Sequence, residues 1–265
     1  MTDIKPKIEL LQAEVDENNQ SFFRLLVNGQ SIKYVTIDPG LYSVDDMCFG
    51  PSLVSLLPTL PAGDWNDGLV TKNGANGQPH FAHAVRTAFP GVENTWHGTS
   101  VDYTEIVVGE KLRTGIYEVK CPLFDDVVVA KFARFDWEIQ YLETETTAYQ
   151  WIEGHNIGPR FLGHLTEDGR VIGFLIERIR NARHASPRDL EPCQVALSRL
   201  HRLCIKHGDT NRFNFLIRDS TAVLIDFDSA RKCEDQDALL KELEHLPDSL
   251  ADLSRREFMS QGSSS

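Results

Sequence analysis

Lys131 lies in the run VVVAKFARF. Strand alternation puts Val127, Val129 and Lys131 on one side and Val128, Ala130 and Phe132 on the other. An ammonium inside such a run is costly unless a carboxylate faces it. Further on, Leu142, Glu145, Tyr149 and Ile152 recur at helical spacing, so Glu145 shares an apolar stripe while Glu143 points elsewhere. An ion pair between Lys131 and Glu145 is therefore expected. Each residue also has an ordinary reading: a lysine can reach back to water from a strand end, and a glutamate can be solvated on a helix edge.

A second polar cluster follows in KHGDTNRFNFLI and VLIDFDSA. Asp209 and Asn214 flank a loop short enough for both side chains to face one cavity. Asp226 follows the apolar strand AVLI, where a strand gives way to a turn. The oxygens of Asn214 and Asp226 are hard ligands suited to Mg²⁺, which keeps water and substrate phosphate in its shell. Asp209 is then left to accept a proton from an attacking hydroxyl. Taken singly, an Asx-turn at Asp209, a capping Asn214 and a strand-end Asp226 explain the same residues.

The elements that must position these groups can be read from pattern. Residues 1–20 are polar, and poor order is expected there. FFRLLVNGQSIKYVTI places Asn28 and Gly29 between two apolar runs, a hairpin signal. Residues 39–98 are dense in Pro, Gly and Asn, with a second hairpin in GLVTKNGANGQPHFAHAV and a single helical stretch, PSLVSLL. Residues 1–100 thus read as an irregular, mostly β accessory region. EIVVGEKLRTGIYEVK and DVVVAKFARF supply three strands, and a helix capped by Asp136 runs to Gly154. VIGFLIERI is a buried strand. SPRDLEPCQVALSRLHRL is an amphipathic helix with a capping-box start at Ser186 and Asp189, although Pro192 offers a competing first turn. The acidic stretch DQDALLKELEHLPDSLADL predicts one long helix before a Ser-rich, mobile tail.

The 265 residues allow one two-lobed domain or two small ones. A net charge of −12 argues against a nucleic-acid-binding face. Five scattered cysteines form no C-x-x-C pair and suit reduced thiols. The opening residues lack an apolar core of signal length, and no run approaches bilayer-spanning length, so no membrane partner and a cytoplasmic location are expected.

Lys131, Glu145, HGDTNRFN and IDFDSA stand in the order and spacing of the protein-kinase-like fold, with its strand lysine, helix glutamate, H-R-D-x-x-x-x-N and D-F-G motifs. The HGD and IDFD spellings resemble the aminoglycoside phosphotransferase, choline kinase and RIO-like branch and the small kinase of the tRNA-threonylcarbamoylation complex. TETTAYQWIEGHNIGPRFLGHL and GFLIERI resemble the helix-to-hinge segment of the aminoglycoside phosphotransferase group. Over its length the chain is similar to a group of fungal kinase-like proteins, some carrying an alpha-galactosidase A label. The resemblance covers residues 105–232.

It implies an α+β, minimal two-lobed fold. Residues 101–181 would be an antiparallel β N-lobe with one helix and the hinge, 182–255 a reduced helical C-lobe and 256–265 the tail. It implies ATP and Mg²⁺ as cofactors. Lys131 would meet the α- and β-phosphates and pair with Glu145, and Asp209 would orient or deprotonate an acceptor hydroxyl. Asn214 and Asp226 would hold Mg²⁺, His207 would brace the catalytic loop, and residues 177–179, including Glu177 and Ile179, would meet adenine. Thr114 and Gly115 would cover the phosphates. One departure stands out, because KLRTGIYEVK carries a single glycine at that turn.

The activity implied is phosphoryl transfer to a hydroxyl of a small molecule. An atypical protein kinase or ATPase working in a complex, or a nucleotide-binding pseudokinase, are the alternatives. Between Glu177 and His207 there is room for one linker and one helix, and little chain follows Asp228. Acceptor specificity would therefore come from residues 1–100, with Trp65, Trp96 and His97 either lining a pocket or packing as aromatics, or from a second subunit or partner protein completing the small C-lobe.

Overall fold

The computed structural model describes residues 6–252, and the protein is mixed α+β. The expected tail at 256–265 lies outside the described residues. The chain divides into two compact units, with the boundary between Phe89 and Pro90.

The first unit is a five-stranded sheet in sequence order: β1 (Ile8–Glu14), β2 (Ser21–Val27), β3 (Ser31–Ile37), β4 (Asp67–Lys72) and β5 (Pro79–Val85). Asn28 and Gly29 both have positive φ, and Gln30 N donates to Val27 O, closing the β2–β3 hairpin as its sequence suggests. β4 runs parallel to β3, so the chain must cross over. It does so through α1 (Val44–Cys48) and α2 (Gly50–Leu56), which bring Met47 and Leu53 into a core with Phe23, Leu25, Val35, Ile37, Trp65 and Val70.

The expectation of an irregular region is corrected. The Pro, Gly and Asn residues are confined to connections, while the strands between them are regular. Residues 8–14 form an edge strand rather than a disordered start, because IELLQAE pairs with β2 over its whole length. Trp65 belongs to the core, with Nε1 donating to Pro61 O.

The second unit carries a six-stranded sheet. Its strands are β6 (Ser100–Asp102), β7 (Val107–Arg113), β8 (Ile116–Lys120), β9 (Val128–Phe132), β10 (Phe161–Glu167) and β11 (Arg170–Ile176), in the order β6-β10-β11-β9-β8-β7. Residues 91–102 belong here and not with the accessory region. Val92 N donates to Val171 O, and β6 pairs with β10.

α3 (Ile139–Ile152) connects β9 to β10 and lies against β11. A 3-10 turn, Asp136–Glu138, precedes it, so Asp136 is not the helix cap; its carboxylate accepts from Trp137 N instead. Gly154, at φ +74, ends the helix as expected.

The remaining chain contributes β12 (Arg183–His184), α4 (Leu190–His201), β13 (Ile205–Lys206), β14 (Phe215–Arg218), β15 (Thr221–Leu224), β16 (Arg231–Lys232), α5 (Gln236–Glu244) and α6 (Leu246–Ala251). The capping box of Ser186 and Asp189 is present, one 3-10 turn before α4. The acidic stretch makes two helices rather than one. Pro247 sits in the first turn of α6, where its missing N–H costs nothing, and so interrupts the expected continuous helix.

One core joins these parts. Leu142 and Tyr149 of α3, Phe161 and Phe174 of the sheet, Leu197 and Leu200 of α4, and Phe215, Leu224 and Phe227 pack together. β11 approaches β9 closely at Gly173, where a Cβ would lie 2.1 Å from the Lys131 carbonyl oxygen and 2.6 Å from Phe132 Cα. Both neighbours are backbone and cannot step aside. Gly173→Ala is therefore expected to destabilise the unit by about 1–3 kcal/mol. Denaturant unfolding checks this, and an unchanged midpoint would contradict the close approach.

Candidate functional site

The strand that carries Lys131 presents its ammonium to two carboxylates. Nζ lies 2.5 Å from Glu145 Oε2 of α3 and 2.5 Å from Asp226 Oδ1, just after β15. Glu145 is buried, and its second oxygen accepts from Phe227 N at 3.2 Å. One glutamate thus ties the lysine strand, its own helix and the 226–228 segment together.

Burial works against the Lys131 charge, but Glu145 and Asp226 outweigh it and hold the ammonium above its ordinary pKa. Two anions share one cation, and burial pushes the more enclosed carboxylate, Glu145, upward. Asp226 is held below its ordinary value despite burial, because Lys131 and Arg113 stand beside it.

Asp226 has φ +66, in the left-handed region that side chains seldom adopt, at a cost of order 1 kcal/mol. Its neighbours enforce this. Ile225 N donates to Asn214 O, Phe227 N is held by Glu145, and the Phe227 ring is buried against Tyr149 and His207.

The 207–214 loop is fixed from beneath. His207 is fully buried: Nδ1 accepts from Asp209 N at 3.3 Å, so Nε2 is the donor to Ile225 O at 3.2 Å, which sets the neutral tautomer. Burial lowers its pKa. Gly208 has φ +88, and a Cβ there would meet Ser229 O at 2.5 Å. Asn211 caps the 3-10 turn Arg212–Asn214 through Phe213 N and also donates to Asp209 Oδ2 at 3.0 Å. Asn214 donates Nδ2 to Asp209 O at 3.0 Å, which leaves its Oδ1 as the acceptor end of the amide.

Two residues absent from the sequence reading complete this arrangement. Glu242 of α5 accepts from His207 N at 3.1 Å, Gly208 N at 2.7 Å and His201 Nε2 at 2.8 Å. It sits between Leu239 and Leu246 on a buried stripe, the same signal that singled out Glu145. Arg113, at the end of β7, brings Nη1 to 3.7 Å from Asp226 Oδ2 and donates Nη2 to Phe213 O at 3.1 Å. Its position before a turn gave no indication of this.

A cavity of about 290 Å³ opens beside the cluster. Val129, Tyr149, Ile176, Leu216 and Ile225 form apolar wall, and Arg113, Lys131, Glu145 and Asp226 are among its charged residues, with Glu118, Glu177 and Arg178. Glu177 and Ile179 line it, whereas His207, Asp209 and Asn214 do not. Glu177 N donates to Arg160 O, and Arg178 pairs with Glu118.

Thr114 and Gly115, expected to cover the phosphates, do not line the cavity either. Gly115 O accepts from Phe132 N at 2.9 Å, docking the turn on β9, while Leu112, Arg113 and Ile116 face the cavity. Trp96 and His97 pack on Phe161, and Trp96 Nε1 donates to Thr146 O, so both serve as packing aromatics. Glu143 points away from the cluster, as its spacing suggested, and accepts from Glu93 N.

Among the described residues no group of three or more His, Cys, Asp or Glu is placed to hold a metal ion. No helix of these residues is long and apolar enough to cross a membrane. No family model matches the chain, and no curated protein matches it.

His201 and the two loop amides hold Glu242 below its ordinary pKa of 4.5, against the effect of burial. Its stabilisation is then complete above about 4.5 and lost as pH falls below that value. Glu242→Gln is expected to cost about 1–3 kcal/mol at pH 7. The gap from the native chain should close in acid, and a pH-independent gap in denaturation curves would contradict this role.

Proposed function

We propose that the second unit is a minimal protein-kinase-like fold that transfers the γ-phosphoryl of ATP to a hydroxyl of a small molecule. The observation that carries this reading is Lys131, paired at once with a helix glutamate and with the post-strand aspartate at the wall of a cavity. Tyr149 lines the same wall.

In this reading the apolar wall takes the adenine ring, with residues 177–179 offering backbone groups. Since Glu177 N is already engaged, its carbonyl is the group left for adenine. Lys131 holds the phosphates. The hard oxygens of Asn214 and Asp226 suit Mg²⁺, with phosphate and water supplying the other ligands, and so the absence of a three-residue cluster is compatible with it. Mg²⁺, when bound, supplies neutralisation of phosphate charge. Asp209 orients the acceptor hydroxyl and takes its proton, its backbone fixed by His207 and Asn214. Catalysis of this kind is mostly positioning and charge stabilisation.

A nucleotide-binding pseudokinase is favoured by one specific observation: neither Thr114 nor Gly115 lines the cavity. Thermal unfolding of the native chain and Asp226→Ala with ATP, with and without Mg²⁺, separates these readings. At a ligand concentration of about 100 Kd, binding stabilises by about 2.7 kcal/mol, a shift of several degrees. The expected result is an Mg²⁺-dependent shift lost in Asp226→Ala. In the same preparation Asp209→Ala should keep the shift while turnover drops about 10²–10⁴-fold. No nucleotide shift in the native chain contradicts the proposal, and a shift without any turnover supports the pseudokinase.

A further inference from the structure

Among the described residues that line the cavity, Arg113 is the one cation whose carboxylate partner is not in close contact. Lys131 sits at 2.5 Å from both of its carboxylates, whereas Arg113 Nη1 stands 3.7 Å from Asp226 Oδ2. Its firmer bond is Nη2 to Phe213 O, at 3.1 Å, which anchors the side chain beside the 207–214 loop. Burial pulls the guanidinium below its ordinary pKa, with Asp226 and Asp209 opposing the shift. A guanidinium stays charged in any protein setting, so Arg113 is a second cation beside Lys131.

The turn after Arg113 is docked on β9. Gly115 O accepts from Phe132 N, and a Cβ at Gly115 would lie 3.0 Å from Phe132 O. The turn is thus pressed on β9, and the residues facing the cavity from this strand pair are Leu112, Arg113 and Ile116. Arg113 is the only one of the three that can bind an anion.

We infer that Arg113 is a phosphate clamp: its planar N–H fork binds the terminal phosphates of the nucleotide. This rests on the nucleotide reading given above. Asp226 is the shared partner, so a cation taking up Asp226 would remove the carboxylate facing Arg113 and leave the fork to the phosphates. A fork matches phosphate oxygens in two parallel bonds, which a lysine ammonium cannot do.

Calorimetric titration of ATP, ADP and adenosine into the native chain, Arg113→Met and Arg113→Lys tests this. Arg113→Met is expected to weaken ATP binding about 10–100-fold, as loss of a charged hydrogen-bonding group does, and to leave adenosine unchanged. Arg113→Lys keeps the charge without the fork and should fall between the two for ATP alone. Melting temperatures without ligand report on folding. Should Arg113→Met fail to fold, the Arg113→Lys comparison of ATP against adenosine carries the test. Undiminished ATP affinity, or equal losses for ATP and adenosine, would overturn the clamp and leave Arg113 a structural tie. A native chain that binds no ATP overturns the nucleotide reading itself, and the clamp with it.

Discussion

An ammonium group removed from water keeps its charge only where carboxylates replace the lost solvation. In this chain that condition falls on Lys131, and meeting it requires three segments far apart in sequence to converge. β9 brings the lysine, α3 the buried Glu145, and the turn after β15 the strained Asp226. Removing one partner of such a buried pair typically costs about 3–5 kcal/mol, because the other charge is left stranded. The pair is accordingly less a source of net stability than a constraint. It requires that strand, helix and turn occupy one arrangement.

The same device recurs under the 207–214 loop. There Glu242 of α5 collects two backbone amides and a histidine, and His207 passes the constraint to Asp209 and Ile225. In both places a buried carboxylate on a helix fixes the backbone of a polar turn, so that exposed or cavity-facing groups are held by groups out of solvent. A loop held in this way gives up backbone freedom before any ligand arrives, which is what a positioning site needs. The apolar core running from α3 through Phe161 and Phe174 to Phe227 keeps these anchors in register.

Much of this was legible in local pattern. Lys131 and Glu145 were marked by apolar neighbours at strand and helix spacing, Asn28 and Gly29 by their turn chemistry, and Ser186 and Asp189 by the capping box. What escaped depends on distant partners. Glu242 carried the same stripe signal as Glu145, but its partners are backbone amides of a loop, to which no side-chain spacing points. Arg113 sits before a turn whose docking on β9 is a tertiary event, and so no local signal singled it out beside Thr114 and Gly115. The regular first sheet was obscured because Pro, Gly and Asn in its connections dominated the composition, while a parallel β3–β4 pair needs a crossover that no local signal announces.

We propose the cluster around Lys131 as the phosphate end of a nucleotide site. This is tested most directly by a crystal structure of the full chain grown with Mg²⁺ and a non-hydrolysable ATP analogue. The account predicts phosphate oxygens within hydrogen-bond distance of Lys131 Nζ and Mg²⁺ held by Asn214 Oδ1 and Asp226, with adenine beside residues 177–179. A nucleotide bound elsewhere, or a cavity left unchanged at saturating analogue, would contradict it.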